Sequence, residues 1–424
     1  LSWPFEVGEN LIWEQTARPA YEFFYYQRCG MEVPGFHKAC HLDDSIDPGT
    51  GEQFDLAGGW HDAGDYNKYH NAPYVYGLAK AYENLKKGYD PHDADSNDRS
   101  DFLDEILWGG DLSRRMIAPD GSARGRITSG YGFWGGPEQE TDNLPGTGDE
   151  RPLDGGASGL DSSHHTAAMA KIALLIGDKE SYFEAAERGF EWGRTKGLKG
   201  PLQLSSALDL YELTGKEEYA EIAQEILPKV GLGDPFLIEK YDRLFGEDHS
   251  EEVKKALIAE VEGILTHADN PFGVYTYGDA SNPNFFNTPA EKNIWHLGTT
   301  DHLLVAADRV ALAYRYQPDP RYLQFIYDQI NWTLGNNPFD TSLMEGSGSQ
   351  FVPTYHQRLI YGGVERGAVP GGIINGISWR APGDDRPKLD LSGVDIPAFE
   401  SNEVWLPHNT YYLKLLSNLQ RSTE

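Results

Sequence analysis

Two aspartates three residues apart, Asp62 and Asp65, sit in "GGWHDAGDYNKYH" (58–70), among Trp60, His61, Tyr66, Tyr69 and His70. D-x-x-D in such surroundings can serve as a metal site, a helix cap, a solvated turn, or one half of the machinery that cleaves a glycosidic bond. That last chemistry needs one carboxylate to activate water and a second acid, across the bond, to protonate the leaving oxygen. Gly58 and Gly59 permit backbone conformations closed to other residues, so the acids can project from a tight loop. Trp60 and Tyr66 are expected to wall them with apolar surface. A partner acid is offered by "FESNEVWLPHNTYYLKLL" (399–416), where Glu403 opens a helical pattern behind Asn402, among Phe399, Trp405 and His408. A glutamate there is commonly a first-turn residue favoured by the helix dipole. Buried at the mouth of a fold, it would instead have its pKa raised, as a general acid requires.

Cys29, the Cys40-His41 pair and His61 supply two thiols and two imidazoles, the usual ligand set of a closed tetrahedral zinc site. A disulfide or two buried thiols are the plainer alternatives, and His70 could stand in for His61 as the fourth ligand. If His61 ligates, the metal pins the loop that carries Asp62. "DADSNDRSDFLDE" (93–105) spaces Asp93, Asp95, Asn97, Asp101 and Asp104 like a calcium loop, but Asp98 occupies the place where glycine is expected. An acidic helix start is the stronger reading, and calcium stays a second candidate metal without assigned ligands. Trp134, Trp295 and Trp379 fall in long loops, and Trp295 is the one selected for stacking on a sugar ring.

Helices must position these groups. "SDFLDEILWGGDLSRRM" (100–116), "SSHHTAAMAKIALLIG" (162–177), "SEEVKKALIAEVEGIL" (250–265) and "TDHLLVAADRVALAYRY" (300–316) space apolar residues three and four apart. Between helices, 117–160, 267–296 and 337–400 are rich in glycine, proline and aspartate, and loops that long usually carry function. A weak repeat of helix, polar break, Tyr and helix recurs at Tyr182, Tyr219 and Tyr322, and short breaks force antiparallel neighbours. The reading is all-α: about twelve helices closing a ring of six inner and six outer, as one domain over 1–424. The lead 1–16 is read as the remnant of a linker from a missing N-terminal β-sandwich.

The balance of 36 basic against 66 acidic residues gives a net charge of −30. Such a surface repels nucleic acid and anionic membranes. No apolar stretch is long enough to span a bilayer. The chain opens at Leu1 without Met, which reads as a processed product of export. A secreted monomer is expected, with the periplasm as the alternative location.

"GGWHDAGDYNKY", "WHLGTTDHLLVAADRVALAY", "WTLGNNPFDTSLMEGSGS", "VPTYHQR" and "FESNEVWLPHNT", in this order, resemble the marker blocks of glycoside hydrolase family 9. The resemblance runs from about Phe23 to the C-terminus. It implies an (α/α)6 barrel and inverting hydrolysis of β-1,4-glucans or cello-oligosaccharides. It also implies Asp65 as catalytic base, Asp62 as a holder of the attacking water and Glu403 as general acid. His356 and Arg358 would bind the sugar beside the scissile bond, and relatives with this Cys/His pattern carry a structural zinc. The chain departs from many members at Trp405 and the following "LPHN", and in having a single His before Gln357. Two rival readings stand beside it. The acidic "PEQETDN" (137–143) could hold an amine and make an exo-acting glucosaminidase of chitosan oligosaccharides, or the barrel could be an inactive glycan-binding module.

Overall fold

The computed structural model describes residues 6–8, 10–69, 71–85, 92–130, 132–276, 298–361, 369–381 and 384–422. His70 and Trp295 therefore lie outside the described residues. The long helices are α1 (Leu11–Tyr26), α2 (Asn71–Asn84), α3 (Asp101–Met116), α4 (Gly159–Ile176), α5 (Ser181–Thr195), α6 (Pro201–Thr214), α7 (Glu217–Val230), α8 (Pro235–Phe245), α9 (Ser250–Leu265), α10 (Thr300–Tyr316) and α11 (Pro320–Thr333). Two short turns, α12 (Arg358–Tyr361) and α13 (Phe399–Asn402), precede the last long helix, α14 (Leu406–Ser422).

Burial sorts the twelve long helices into two rings. Helix α4 buries an unbroken run, His165 to Ala173, as a helix enclosed on all sides must. Helix α5 buries only the stripe Ala185, Ala186, Gly189, Phe190 and Gly193. The even-numbered helices α2, α4, α6 and α8 touch in succession, α10 lies on α14, and α14 lies on α2. Helix α8 joins α10 through Glu239, which takes Arg315 at 2.9 Å and the Tyr316 hydroxyl at 2.6 Å. The inner ring is thus closed, and the other six long helices pack outside it: an (α/α)6 barrel.

Charge fills part of the lumen. Lys171 bonds Glu83 at 2.8 Å and Asp209 at 2.9 Å, and Lys240 bonds Asp209 and Glu212. Asn84 donates to Asn418 at 3.0 Å, and Asn418 to Asp308.

Chain order decides where a site can form. Each inner helix leads into the next outer helix, and each outer helix returns to the next inner one at the opposite end. The segments 27–70, 117–158, 266–299 and 334–405 are all returns, so their described parts gather where inner helices begin. A small antiparallel sheet ties two of them together. Strand β1 (Lys68–Tyr69) pairs with β2 (Arg126–Ile127), which pairs with β3 (Leu153–Asp154). The fourth loop carries a hairpin of β4 (Ser378–Ala381), which holds Trp379, and β5 (Asp384–Lys388). Part of the lead is helical: residues 11–16 belong to α1, where Trp13 is buried and Thr16 meets the Tyr412 hydroxyl at 2.7 Å.

Candidate active site and metal cluster

Residues 62–64 run between two other segments of chain. Gly64 C=O accepts from Arg358 N–H at 2.7 Å, and Asp62 C=O from Leu406 N–H at 2.9 Å. His356 bridges Glu403 in parallel, and Ala63 bridges Trp405 in antiparallel. Gly64 makes the approach feasible. A Cβ there would enter the His356 carbonyl oxygen and stand 3.1 Å from Glu403 Cγ. Glu403 is not a first-turn residue, contrary to the helical pattern expected at that point. It is extended, with φ −76° and ψ 132°, between α13 and α14, because its backbone is committed to these bridges and to Asn375 N–H at 2.8 Å.

Asp62 and Glu403 both lie close enough to Asp65 to be raised by its charge. Burial, then the charge of Asp65, pushes the Glu403 carboxyl up to about 8, against the Gly64 backbone and the Arg358 charge, which pull it down. Burial, then Asp65 and Glu403, holds Asp62 well above the usual carboxylate range. Asp62 Oδ1 is buried without a hydrogen-bond partner among the described residues. Asp65 is oriented by Asn67, whose backbone N–H reaches Oδ1 at 3.1 Å and whose Nδ2 reaches Oδ2 at 2.6 Å. The sequence reading passed over Asn67, although an amide two residues after an aspartate is a common turn partner.

The expected aromatic wall is only partly there. Trp60 is fully buried behind the loop, with Nε1 on Glu105 at 3.3 Å. Tyr66 is equally buried and donates to Gly135 C=O at 2.6 Å. Both brace the loop from the core side. Two described aromatic rings stand at His356, Phe399 and Trp134, each at 6.0 Å and roughly perpendicular to it. Trp134, 48% exposed, also has the Arg358 guanidinium over its face at 5.4 Å. His356 Nδ1 is held by Pro397 C=O at 2.9 Å. Arg358 Nη1 donates to Ser129 Oγ at 3.1 Å, and Ser129 Oγ donates to Glu140 at 2.6 Å.

Glu140 leads to the second cluster. Cys29, Cys40, His41 and His61 are all fully buried, and one ligand atom from each lies within 4.8 Å of the others. Both cysteines are free thiols, so the disulfide alternative does not hold. Cys29 Sγ lies 3.5 Å from His41 Nδ1, and Cys40 Sγ lies 3.8 Å from His61 Nε2. Bonds of about 2.3 Å to sulfur and 2.05 Å to nitrogen at a tetrahedral angle put such atoms about 3.6 Å apart. The donor set therefore fits one soft divalent metal. His41 Nε2 meets Glu140 at 3.0 Å, and with the proton on Nε2 the Nδ1 atom would be the one free to ligate a metal. Burial works to raise Glu140, but the His41 bond and the Arg151 charge hold it at about 2.

Within 93–105 the acidic helix start covers Asp101 onward, while Asp93 and Asp95 accept backbone N–H groups of Asn97 and Asp98 in the turn before it. Ser100 caps α3, Asp104 pairs with Arg99 at 2.9 Å, and Asp101 pairs with His92 at 3.1 Å.

A family model described as Glycosyl hydrolase family 9 matches residues 13–411. The chain belongs to glycoside hydrolase family 9. Among family 9 relatives, Endoglucanase D of Acetivibrio thermocellus is 23% identical over 97% of this chain and 70% of its own length. A xyloglucan-specific endo-β-1,4-glucanase of Bacteroides ovatus is 25% identical over 97% of this chain and 79% of its own. The crystal structure of a metagenome-derived family 9 endoglucanase superposes with a TM-score of 0.75 at 21% identity, covering 97% of this chain and 81% of that one. The family 9 barrel foreseen from the marker blocks is the fold observed.

Proposed function

We propose that this family 9 glycoside hydrolase cleaves β-1,4-glucosidic bonds in β-glucans with inversion of configuration. Asp65 would act as the base on water, Asp62 would help hold that water, and Glu403 would protonate the leaving oxygen. The observation that carries the reading is the Glu403 carboxyl near 8 beside the two aspartates. At neutral pH it keeps a proton to give, while Asn67 offers both its N–H groups to Asp65. The buried, unpartnered Asp62 Oδ1 is a natural acceptor for a water proton. Arg358 and His356 would grip the sugar next to the broken bond, with Trp134 as the stacking face.

We assign zinc to the Cys29, Cys40, His41 and His61 cluster. Four thiolate and imidazole ligands with no open position make a structural site, which holds the backbone just before Asp62. Secretion is the location proposed, with the periplasm as the alternative; no described helix is long and apolar enough to cross a membrane. The glucosaminidase reading is not favoured. The relatives that support the glucan reading are named endoglucanases and a cellodextrinase, and within 137–143 Glu140 is already engaged by His41, Ser129 and Gly130.

Proton NMR of the first products from cellohexaose tests the proposal. The new reducing end is expected as the α anomer, and a β anomer in the earliest spectra would overturn inversion. Xyloglucan oligosaccharides and chitosan oligomers assayed in parallel read out substrate class, with turnover expected on glucans alone.

A further inference from the structure

Glu403 is extended, and bridges from Glu403 to His356, Val404 to Ile374 and Trp405 to Ala63 carry that conformation through Trp405. Side chains alternate along extended backbone, so Trp405 faces the way Glu403 faces. Burial follows the alternation. Glu403 and Trp405 keep some exposure, whereas Val404 between them is fully buried in the core. Across the bridge, Ala63 and Asp65 keep some exposure and Gly64 between them is buried. The indole of Trp405 therefore stands beside Ala63 on the open side of the site, roughly 6.6 Å along the strand from Glu403.

That indole is braced from behind. His408 is fully buried, its Nδ1 on Ile373 C=O at 3.1 Å, and its ring packs at right angles to Trp405 with centres 5.7 Å apart. The His408 backbone N–H donates to Trp405 C=O at 3.1 Å. The indole Nε1–H, by contrast, meets no acceptor among the described residues and is not shut away from solvent. A fixed aromatic face with a free donor at its edge suits a sugar ring, whose C–H face lies on the indole while a hydroxyl accepts the N–H.

Trp134 lies on the His356 side of Glu403, and Trp405 lies on its Ala63 side. A glucan seated with its breaking bond at Glu403 would thus meet one indole on each side of that bond. We propose that Trp405 is a substrate-binding residue of this chain, stacking on the glucosyl unit across the bond from Trp134 and donating Nε1–H to one of its hydroxyls. The inference rests on the glucan reading above. It concerns a position at which this chain departs from many members of its family. A β-glucosyl unit fits such a face because its hydroxyls are all equatorial, which leaves both faces of the ring apolar.

Two substitutions separate the parts of the contact: Trp405→Phe keeps a ring and loses the donor, and Trp405→Ala loses both. Steady-state kinetics on cellohexaose are measured for each. Cellohexaose binding is measured by calorimetry with each substitution added to Glu403→Gln, which lacks the proton to give. Binding shared by ground and transition states appears in KM and leaves kcat alone. Trp405→Ala is expected to raise KM and Kd about tenfold, and Trp405→Phe about threefold, with kcat held in both. A substitution that merely loosened the strand at Ala63 would lower kcat instead. Unchanged KM and Kd in Trp405→Ala, a fall in kcat alone, or faster cleavage once the indole is gone would each overturn the platform and leave the glucan reading standing. A parent chain that neither binds nor cleaves cellohexaose would overturn both.

Discussion

At the residue scale, the site depends on one proton being in the right place. Glu403→Gln keeps the shape and removes the proton, so turnover on glucan should fall by about 10²-fold or more with the melting temperature unchanged. Near-normal activity in that variant would end the acid assignment. Glu403 also sets a pH limb. A donor held at about 8 is loaded below that pH, so kcat/KM should decline as pH rises through about 8. The limb should be missing from the residual activity of Glu403→Gln. The sign for stability is the same: between 4.5 and about 8 the folded chain holds a proton that the unfolded chain has released, so stability falls as pH rises across that window. Asp62, Asp65 and Glu403 were legible in the sequence through blocks that resemble the family's markers, since acids beside glycines alone are most often plain turns. Their environment was not. Whether Glu403 is helical or extended depends on bridges to His356 and Asn375, which are distant in sequence, and Trp60 faces the core because Gly109 leaves room for its ring.

At the element scale, the returns from outer to inner helices hold the acids, and contacts between returns set their spacing. Gly64→Ala should push the 62–65 loop off the His356 carbonyl and lower activity at least tenfold, while circular dichroism stays unaltered. Two routes join the metal cluster to the site: His61 is the residue before Asp62, and His41 connects through Glu140 and Ser129 to Arg358. Cys40→Ser should therefore lower both thermal stability and activity, and the original chain should carry about one zinc by elemental analysis. Full zinc occupancy in Cys40→Ser would remove Cys40 from the ligand set. Helix positions were readable because periodicity is local: the 300–316 and 250–265 stretches match α10 and α9 residue for residue. The repeat at Tyr182, Tyr219 and Tyr322 also has a physical basis. Each tyrosine begins an outer helix and reaches back to an outer helix earlier in the chain, at Leu107, Glu187 and Glu262 respectively. The pairing of loops left no comparable trace, since β1, β2 and β3 are two residues each.

At the scale of the whole molecule, the inner ring encloses charges that satisfy one another. Asp209 is fully buried and serves both Lys171 and Lys240. Asp209→Ala would take one partner from each ammonium group, leaving Lys171 with Glu83 and Lys240 with Glu212. The loss should therefore reach at most the ~3–5 kcal/mol of a buried pair broken outright. Thermal denaturation of that variant should show a loss of stability. A melting temperature equal to the parent's would mean that the lumen admits water freely. Ring closure also has a consequence in time. The helix that completes the ring, α14, follows the segment bearing Glu403 and lies against both α10 and α2. Synthesis runs from the N-terminus, so the loop with Asp62 and Asp65 leaves the ribosome long before its partner acid. While α14 is still in the exit tunnel, the growing polypeptide has Asp62 and Asp65 without Glu403 in place and a ring with one stave missing, so on the proposed roles it would not cut a glucan until that helix has emerged.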